Sequence, residues 1–312
     1  MKVAFLDTVH AVLEEGLIEL GHHCVDFTRT SKEEIIATIN EFEGIVVRSR
    51  FPIDQDFLTH CTSLKFIARS GAGMENIDID FCENRNIQLF NAPEGNRNAV
   101  AEHALGMLLS LFNKLNTADA EVRLGKWDRE GNRGIELDGK KVGLIGFGNN
   151  GSAFAKKLLG FEVEINAYDK YKKGFGSDQV DEVGFESLKA CDVISLHIPQ
   201  NDETKWMIDA EFIAQMEHPF YLINLSRGKI VKTKDLLDGL NSGKVLGACL
   251  DVLEYEKASF EDMFKDGVNP DFKELIASNK VLLSPHVGGW THESYYKLSL
   301  VLLEKIKEAF HS

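Results

Sequence analysis

Basic residues are the minority charge in this sequence, with 35 lysines and arginines against 49 aspartates and glutamates and a formal net charge of −14. A protein that binds nucleic acid needs a basic face to neutralise phosphates, and an anionic membrane surface makes a similar demand. The charge balance therefore argues against both kinds of partner. It indicates no other partner, because an acidic surface commonly serves solubility.

Long apolar runs and paired cysteines are also missing. No run approaches the 18 or so apolar residues that a membrane span needs, and the first stretch, MKVAFLD, is too short for a signal peptide. The absence of a C-x-x-C pair is typical of buried thiols in a reducing compartment. We therefore expect a cytoplasmic protein and assign no metal ligands. The cysteines are Cys24, Cys61, Cys82, Cys191 and Cys249.

Short apolar runs alternate with amphipathic stretches along nearly the whole chain, which predicts parallel sheets with helices on both faces. A long helix is expected over residues 98–125, a polar loop follows it, and a last helix is expected over roughly 291–310. We predict an α/β fold of two doubly wound parallel-sheet domains. The expected strands are KVAFL, HCVDF, GIVVRS, LKFIARS, IQLFN, KVGLI, VEINAYD, DVISLHI, FYLINLS, LGACLDV and KVLLSPH.

The segment GKKVGLIGFGNNGSAFAKKLLGFEVEINAYDK carries a G-x-G-x-x-G motif at Gly146, Gly148 and Gly151. A strand precedes the motif and a helix follows it, which is the full context of a dinucleotide-binding turn. The first glycine allows the tight turn, the second lets the backbone approach a pyrophosphate, and the third lets the helix pack closely on its strand. The amides of Asn149 and Asn150 are expected to face the phosphates from the helix N-terminus.

Asp169 ends the second strand of this unit and indicates which dinucleotide is bound. A carboxylate at this place accepts hydrogen bonds from both ribose hydroxyls and repels a 2′-phosphate, so NAD is favoured over NADP. The neighbouring Lys170, Lys172 and Lys173 weaken the argument slightly and are expected to be solvated loop charges.

Three later segments each follow a predicted strand and carry a group suited to hydride-transfer chemistry. LINLSRGKIV contains Arg227, GACLDVLEYE contains several acids, and SPHVGG contains His286. In an open parallel sheet, ligands bind beyond the carboxyl ends of the strands. Histidine can exchange the proton of a hydroxyl group, a neighbouring carboxylate fixes its tautomer, and a bidentate arginine can hold a substrate carboxylate.

With these motifs the chain resembles the D-isomer-specific 2-hydroxyacid dehydrogenases over nearly its whole length. The stretches that carry the resemblance are VVRS, ARSGAGMENIDID, NAPEGNRNAVAEHALGMLL, the glycine motif, SLHIP, INLSRGKIV, CLDVLEYE and SPHVGGWT. The resemblance implies a substrate domain of residues 1–98 plus 290–312, an NAD domain of residues 99–289, and an active site in a cleft between two Rossmann-like domains. It also implies a homodimer.

The resemblance further implies roles for single residues. Arg227 would bind the substrate, His286 would exchange the proton, and Glu256 rather than Glu254 would pair with it, because the family's acid follows the aspartate of DV by five residues. Asp251 would contact the nicotinamide carboxamide. The remaining cofactor contacts would come from the SLHIP and SPHVGG stretches, at His197, Pro199 and Gly288.

The substrate is expected to be a small anionic 2-oxo or 2-hydroxy acid. The backbone of Gly71, Ala72 and Gly73 would hold its carboxylate, and Asn96 would border the site. Phosphoglycerate dehydrogenases of this family, which serve serine biosynthesis, bind the substrate phosphate with arginines at the places of Arg48 and Arg69. The resemblance therefore favours 3-phosphoglycerate and phosphohydroxypyruvate. Because the sequence ends at Ser312, we expect no C-terminal regulatory domain of the kind found in many such enzymes.

Several alternatives stay open. The substrate could instead be glyoxylate, hydroxypyruvate or D-lactate, and some corepressors share this fold as NAD(H) sensors without turnover. Formate dehydrogenases share it too, but they have glutamine where Glu256 stands. Two features depart from the family: Lys257 replaces a common proline, and the segment of residues 257–280 is long, which suggests an enlarged loop near the cleft.

Overall fold

The structure is a computed structural model that describes residues 1–256 and 269–311. The chain forms two compact units. Unit 1 comprises Met1–Arg97 with residues 290–311, and unit 2 comprises Asn98–Glu256 with residues 269–289. Lys257 and the other residues before 269, to which two expectations from the sequence refer, lie outside the described residues.

Unit 1 is built on a parallel sheet that has five strands in its described part, in the order β2-β1-β3-β4-β5. The strands are β1 (Lys2–Phe5), β2 (His23–Asp26), β3 (Gly44–Val47), β4 (Phe66–Arg69) and β5 (Gln88–Asn91). The helices are α1 (Ala11–Glu19), α2 (Lys32–Ile36), α3 (Gln55–Thr59), α4 (Ile79–Asn84) and, from the end of the chain, α11 (His292–His311).

Helices cover both faces of this sheet because its strands are apolar on both sides. All four residues of β3 are buried. One face packs against a cluster that includes Ile35 of α2 and Phe57 of α3. The other face packs against Leu17 of α1 and Leu302 of α11. Unit 1 therefore draws its core from both ends of the sequence.

Unit 2 is built on a parallel sheet with seven strands in its described part, in the order β12-β11-β10-β9-β6-β7-β8. The strands are β6 (Lys141–Ile145), β7 (Glu164–Tyr168), β8 (Asp181–Glu182), β9 (Val193–Leu196), β10 (Phe220–Asn224), β11 (Val245–Leu250) and β12 (Val281–Leu283). The helices are α5 (Pro93–Phe112, which begins in unit 1), α6 (Leu115–Arg123), α7 (Asn149–Leu158), α8 (Ala210–Gln215), α9 (Thr233–Ser242) and α10 (Pro270–Ala277).

The strand order of unit 2 reverses at β6, since β7 lies on one side of it and β9 on the other. Such a reversal opens a crevice at the carboxyl ends of the strands, where open α/β sheets bind their ligands. The strands are parallel, so their carboxyl ends share one edge. The predicted fold class, α/β with two doubly wound parallel sheets, is confirmed.

One detail of the prediction is wrong. The single helix expected over residues 98–125 is two helices, because Lys114 adopts a left-handed backbone with φ of 51° and breaks the run between α5 and α6. The described part of the long segment of residues 257–280 contains α10, and the expected enlarged loop otherwise lies outside the described residues. Buried Phe272 and Leu275 anchor that helix in the core of unit 2.

The five cysteines are free, four of them buried and Cys24 partly buried. Burial raises the pKa of each thiol to about 11 or 12. The thiols are therefore protonated at neutral pH, and none has the thiolate character of a nucleophile. No helix in the described part of the chain is long and apolar enough to cross a membrane.

Candidate active site

Three neighbouring strands of unit 2 deliver the predicted catalytic groups to one edge of its sheet. Strands β10, β11 and β12 pair in register, and their carboxyl ends lead into the loops of Arg227, Asp251 and His286. The glycine motif follows β6 at the same edge. The sheet therefore gathers groups that are far apart in sequence.

His286 and Glu256 form a hydrogen-bonded pair. The Nδ1 atom of the imidazole lies 2.8 Å from Oε2 of Glu256. The other carboxylate oxygen, Oε1, accepts a hydrogen bond from the backbone N–H of Leu253 at 2.5 Å. His286 has a left-handed backbone with φ of 55°, and its N–H donates to the Asp251 carbonyl at 2.8 Å. An acceptor at Nδ1 favours a proton there, so proton exchange falls to Nε2.

Glu254, two residues before Glu256, has a different role. Its Oε1 accepts a hydrogen bond from Trp206 Nε1 at 2.7 Å, and its Oε2 accepts one from the backbone N–H of Thr233 at 2.8 Å. Glu254 thus satisfies a free amide at the start of α9, as a capping acid does. Glu254 therefore has a structural role, whereas Glu256 contacts the imidazole.

Asp251 holds the loop of His286. It is only 2 % exposed, and its carboxylate accepts hydrogen bonds from Ser284 Oγ (2.5 Å), Val287 N (2.9 Å) and Gly288 N (2.7 Å). A Cβ at Gly288 would lie 2.8 Å from the carboxylate, which explains the glycine. Ser284 Oγ lies 2.9 Å from His103 Nε2. These contacts give Asp251 a loop-holding role, and its contact with a nicotinamide carboxamide stays a prediction.

The loop of Arg227 packs directly on the loop of Glu256. A Cβ at Gly228 would lie 1.9 Å from the carbonyl oxygen of Leu253, so only glycine allows this approach. The Arg227 carbonyl accepts a hydrogen bond from Asn224 Nδ2 at 3.0 Å, and its Nη1 donates to the Ser226 carbonyl at 2.7 Å. The arginine and the acid–histidine pair thus belong to adjoining loops.

The glycine motif has the shape that a dinucleotide requires. Gly146 has φ of 96°, and a Cβ at Gly151 would lie 2.1 Å from the Gly146 carbonyl oxygen. A Cβ at Gly148 would meet no atom within 4 Å, so the surface at the start of α7 is open. The buried Oδ1 of Asn150 has no hydrogen-bond partner among the described residues. An open helix N-terminus beside an unsatisfied polar atom fits a pyrophosphate group.

Asp169 lies beside this turn with its carboxylate already fixed. Oδ2 accepts a hydrogen bond from Phe147 N at 2.8 Å, and Oδ1 accepts bonds from Tyr171 N and Lys172 N at 2.9 Å. Burial alone would raise the pKa of Asp169, but these three N–H groups and the charge of Lys172 bring it below its ordinary value. The group is therefore an anion at neutral pH that can still accept further hydrogen bonds.

The three lysines after Asp169 are exposed, as expected from the sequence, and each also makes a specific contact. Lys170 Nζ pairs with Glu203, Lys172 Nζ donates to the Phe147 carbonyl at 3.3 Å, and Lys173 Nζ donates to the Asp169 carbonyl at 2.9 Å. Each also lies over an aromatic ring. Lys172 and Lys173 thus reach nearby backbone carbonyls, whereas Lys170 reaches the Glu203 side chain.

His197 and Pro199 follow β9 at the same edge. His197 Nε2 lies 2.9 Å from Ser195 Oγ, and burial lowers the pKa of this histidine to about 4. Its imidazole is therefore neutral at pH 7. A Cβ at Gly146 would lie 2.4 Å from the His197 carbonyl, so His197 forms a wall of the dinucleotide turn. The Pro199 carbonyl accepts a hydrogen bond from Thr204 Oγ1 at 2.7 Å.

In unit 1, the loop of Gly71, Ala72 and Gly73 follows β4. The backbone N–H of Ser70 and the backbone carbonyl of Gly71 form hydrogen bonds with the ends of the neighbouring strands β3 and β5. Asn91 Nδ2 donates to the Ala72 carbonyl at 2.6 Å. A Cβ at Gly71 would lie 1.4 Å from Nη1 of Arg69, so the guanidinium rests against this loop. Asn96 lies in α5, and its buried Oδ1 has no partner among the described residues.

Arg48 and Arg50 follow β3 and differ in their surroundings. Arg50 donates to the carbonyls of Leu6, Phe27 and Thr30, which makes it structural. The Arg48 guanidinium has no hydrogen bond or ion pair within the described residues, and it lies 4.2 Å from the centre of the Trp290 ring. Asp7 Oδ2 accepts hydrogen bonds from the N–H groups of Arg48, Ser49 and Arg50 and so fixes this loop.

Sequence reasoning missed four residues that position these groups: Asp7, Asn91, His103 and Ser284. Asp7 and Asn91 each stand at the carboxyl end of a strand, which is the signal that revealed Arg227 and His286. Ser284 lies inside the quoted SPHVGG stretch. His103 lies in a helix, and only its contact with Ser284 gives it a role.

Comparison with known proteins shows the family of the chain. Residues 105–288 match the family model described as D-isomer specific 2-hydroxyacid dehydrogenase, NAD binding domain. The chain belongs to the D-isomer specific 2-hydroxyacid dehydrogenase family. The match to its NAD-binding domain confirms the predicted cofactor class.

Two relatives and one solved structure illustrate the likeness. The chain is 35% identical to a D-3-phosphoglycerate dehydrogenase of Archaeoglobus fulgidus over 89% of this chain and 51% of the relative. It is 35% identical to a hydroxypyruvate reductase of Thermotoga maritima over 88% of this chain and 87% of the relative. A D-lactate dehydrogenase of Aquifex aeolicus was solved with NAD and lactic acid. Its structure superposes on this one with a TM-score of 0.83 at 26% identity, and the match covers 100% of this chain and 96% of that chain. The chain thus spans about half the length of the first of these relatives.

Proposed function

We propose that the protein is an NAD-dependent dehydrogenase that interconverts a D-2-hydroxy acid and its 2-oxo acid. The observation that carries the proposal is the pair of His286 Nδ1 and Glu256 Oε2 at 2.8 Å, set at the same sheet edge as the dinucleotide turn. Bound NADH supplies a hydride to the carbonyl carbon of the 2-oxo acid. His286 gives the proton from Nε2 to the carbonyl oxygen, and Glu256 stabilises the imidazolium before that transfer.

Arg227 has the chemistry to bind the substrate carboxylate and to polarise its carbonyl, since a planar guanidinium makes two charge-assisted hydrogen bonds. In unit 1, the loop of Gly71, Ala72 and Gly73 is the proposed second binding element for the substrate carboxylate, and Asn96 borders this loop. We assign the dinucleotide to Gly146, Gly148, Asn149, Asn150, Gly151 and Asp169, with His197, Pro199, Asp251 and Gly288 around its nicotinamide end.

The test is NADH oxidation with a panel of 2-oxo acids: phosphohydroxypyruvate, hydroxypyruvate, glyoxylate and pyruvate. We expect turnover with at least one of them. Binding of NADH without turnover of any would favour an NAD(H)-sensing, corepressor-like protein instead. The Thermotoga maritima relative makes hydroxypyruvate the second candidate substrate.

Phosphohydroxypyruvate is the proposed preferred substrate, with Arg48 and Arg69 binding its phosphate. Arg69→Ala should then raise KM for phosphohydroxypyruvate roughly tenfold or more, the worth of a lost charge-assisted hydrogen bond, and barely change the kinetics with glyoxylate. Gly71→Ala should have a similar effect, because the new Cβ would displace the Arg69 guanidinium. Exposed Arg29 supplies the control variant Arg29→Ala. Equal wild-type efficiency with phosphohydroxypyruvate and glyoxylate would contradict the phosphate assignment.

NAD rather than NADP is the proposed dinucleotide, because the Asp169 anion repels a 2′-phosphate. Asp169→Ala should therefore lose much of the preference for NADH over NADPH, measured as the ratio of kcat/KM values with one 2-oxo acid. Exposed Asp178, on a later loop of the same unit, supplies the control variant Asp178→Ala. A wild-type protein that prefers NADPH would overturn the assignment.

We also propose that the protein is a homodimer. The described part of α6 has no buried residue, and large apolar side chains crowd it and the segment that follows, with Leu124 87% exposed and Trp127 80% exposed. A second copy would remove this surface from water. Leu124→Glu with Trp127→Glu should give a monomer in light scattering, whereas Tyr171→Glu, at another exposed aromatic, should not. An unchanged mass for the double variant would count against this surface.

A cytoplasmic location and a place in serine biosynthesis complete the proposal. The five free cysteines support the first, because a reducing compartment keeps thiols unpaired. Growth of a serine-requiring strain on this gene would test the second.

A further inference from the structure

Arg48 presents an unusual guanidinium. Its backbone is fixed, since Arg48 N donates to Asp7 Oδ2 at 2.6 Å and its carbonyl accepts a bond from Asn76 Nδ2 at 3.3 Å. The side chain is only partly exposed, and its guanidinium has no hydrogen bond or ion pair within residues 1–256 and 269–311. An arginine with so few donors satisfied by its own chain is prepared to bind an anion.

The Trp290 ring covers one side of this guanidinium, with 4.2 Å from Cζ of Arg48 to the ring centre. Trp290 precedes the capped start of α11, where Thr291 and Ser294 exchange hydrogen bonds between side chain and backbone. Its ring packs edge-on against Tyr295 at 5.6 Å. The platform under Arg48 is therefore held by the helix that follows it.

The aromatic support continues to the start of α1. Tyr295 packs edge-on against His10 at 5.7 Å, and His10 caps α1 by accepting a hydrogen bond from Val12 N at 3.2 Å. His10 N donates to Ser299 Oγ of α11 at 3.2 Å. The contacts run from Arg48 through Trp290 and Tyr295 to the first helix of unit 1.

An aromatic ring stacked on a guanidinium restrains the side chain but takes none of its donors. Cation–π contact uses the face of the planar group, whereas the five N–H donors lie in its plane. An anion that approaches in this plane finds two parallel donors already oriented. A leucine in place of the ring would let the guanidinium rotate, and binding would then have to order it.

We propose that Trp290 is the specificity-determining residue of the substrate site: it holds Arg48 edge-on for a second anionic group, a phosphate or carboxylate, at the far end of a 2-oxo acid. The inference rests on the proposed dehydrogenase function and names a residue that decides its substrate class. Trp290 is 48% exposed and Arg48 is partly exposed, so neither residue of the pair is closed off from solvent.

The first experiment measures anion binding without turnover. Trp127→Phe with Trp206→Phe leaves Trp290 as the single tryptophan of the chain. Titration with inorganic phosphate, against sodium chloride at equal ionic strength, should change the Trp290 fluorescence in a saturable manner, and Arg48→Met should abolish the change. Arg29→Met is the control and should keep it. No phosphate response, or an equal one in the Arg48→Met variant, would overturn the proposal.

The second experiment is a double-mutant cycle in steady-state kinetics. Trp290→Leu should lower kcat/KM for phosphohydroxypyruvate by roughly 2- to 30-fold through KM, with glyoxylate unaffected, and Trp290→Phe should largely restore it. In the Arg48→Met background, Trp290→Leu should have no further effect. Equal losses with both substrates, or additive losses in the cycle, would overturn the proposal. A wild type that turns over no 2-oxo acid sinks the proposed function, whereas the phosphate titration still decides the role of Trp290.

Discussion

Replacement of His286 by alanine is expected to lower kcat by roughly 10² to 10⁴, the usual worth of general acid–base catalysis, and to leave NADH binding nearly unchanged. The reason is the hydrogen bond from Nδ1 to Glu256, which fixes the ring so that one nitrogen can exchange the substrate proton. The alanine side chain lacks this proton donor, and the substitution changes no residue of the glycine turn. Steady-state kinetics and NADH fluorescence titration measure the two effects separately.

His60→Ala is the matched control, because His60 is an exposed histidine in unit 1. Its kcat should equal that of the wild type. The His286 backbone has a positive φ, which alanine tolerates less well than histidine does. A thermal melt of His286→Ala therefore accompanies the kinetics. Turnover close to that of the wild type in a folded His286→Ala protein would refute the assignment.

The second large effect should come from Glu256→Gln, with an expected fall in kcat on the order of 10²-fold or more. The backbone N–H of Leu253 holds one oxygen of this side chain, so it would keep the amide oxygen of the glutamine. The amide NH₂ would then face Nδ1 of His286 and force the proton onto the wrong nitrogen. The substitution also removes the charge that stabilises the imidazolium.

Glu254→Gln is a control two residues away with the opposite signature. Both carboxylate oxygens of Glu254 accept a hydrogen bond, from Trp206 Nε1 and from Thr233 N, and an amide can satisfy only one of these donors. The loss of about 1–3 kcal/mol in stability should lower Tm by several degrees and leave kcat unchanged. Equal kinetic losses in the two variants would show that the loop acts as a whole and that Glu256 has no separate role.

Local sequence patterns were sufficient to predict the two sheets and the dinucleotide turn. Apolar runs of strand length alternate with helical patterns, and the strands they predict appear in two parallel sheets. The glycines of the turn were equally readable, because a positive φ at Gly146 and the contact at Gly151 admit no side chain. Such local constraints act within a few residues, so the sequence displays them directly.

The helix break at Lys114 could not be predicted from the sequence in the same way. The break at Lys114 carries no glycine or proline. It lies beside the polar loop after α6, where Gly134 approaches the Phe112 carbonyl too closely for a Cβ. The exposure of the lysines after Asp169 was readable, whereas the backbone carbonyls that Lys172 and Lys173 contact were not.

The amino-acid sequence by itself determined the fold class, the dinucleotide turn and the residue types of the candidate site. Only the tertiary structure decided the partners: Glu256 on His286, Glu254 on α9, Asp251 under the loop of His286, and Trp290 on Arg48. The physical reason is the separation along the chain over which each kind of interaction acts. Propensity and steric constraints are set by neighbours in the chain, whereas a hydrogen bond or a cation–π contact is set by which strand ends and helix starts the sheet brings together.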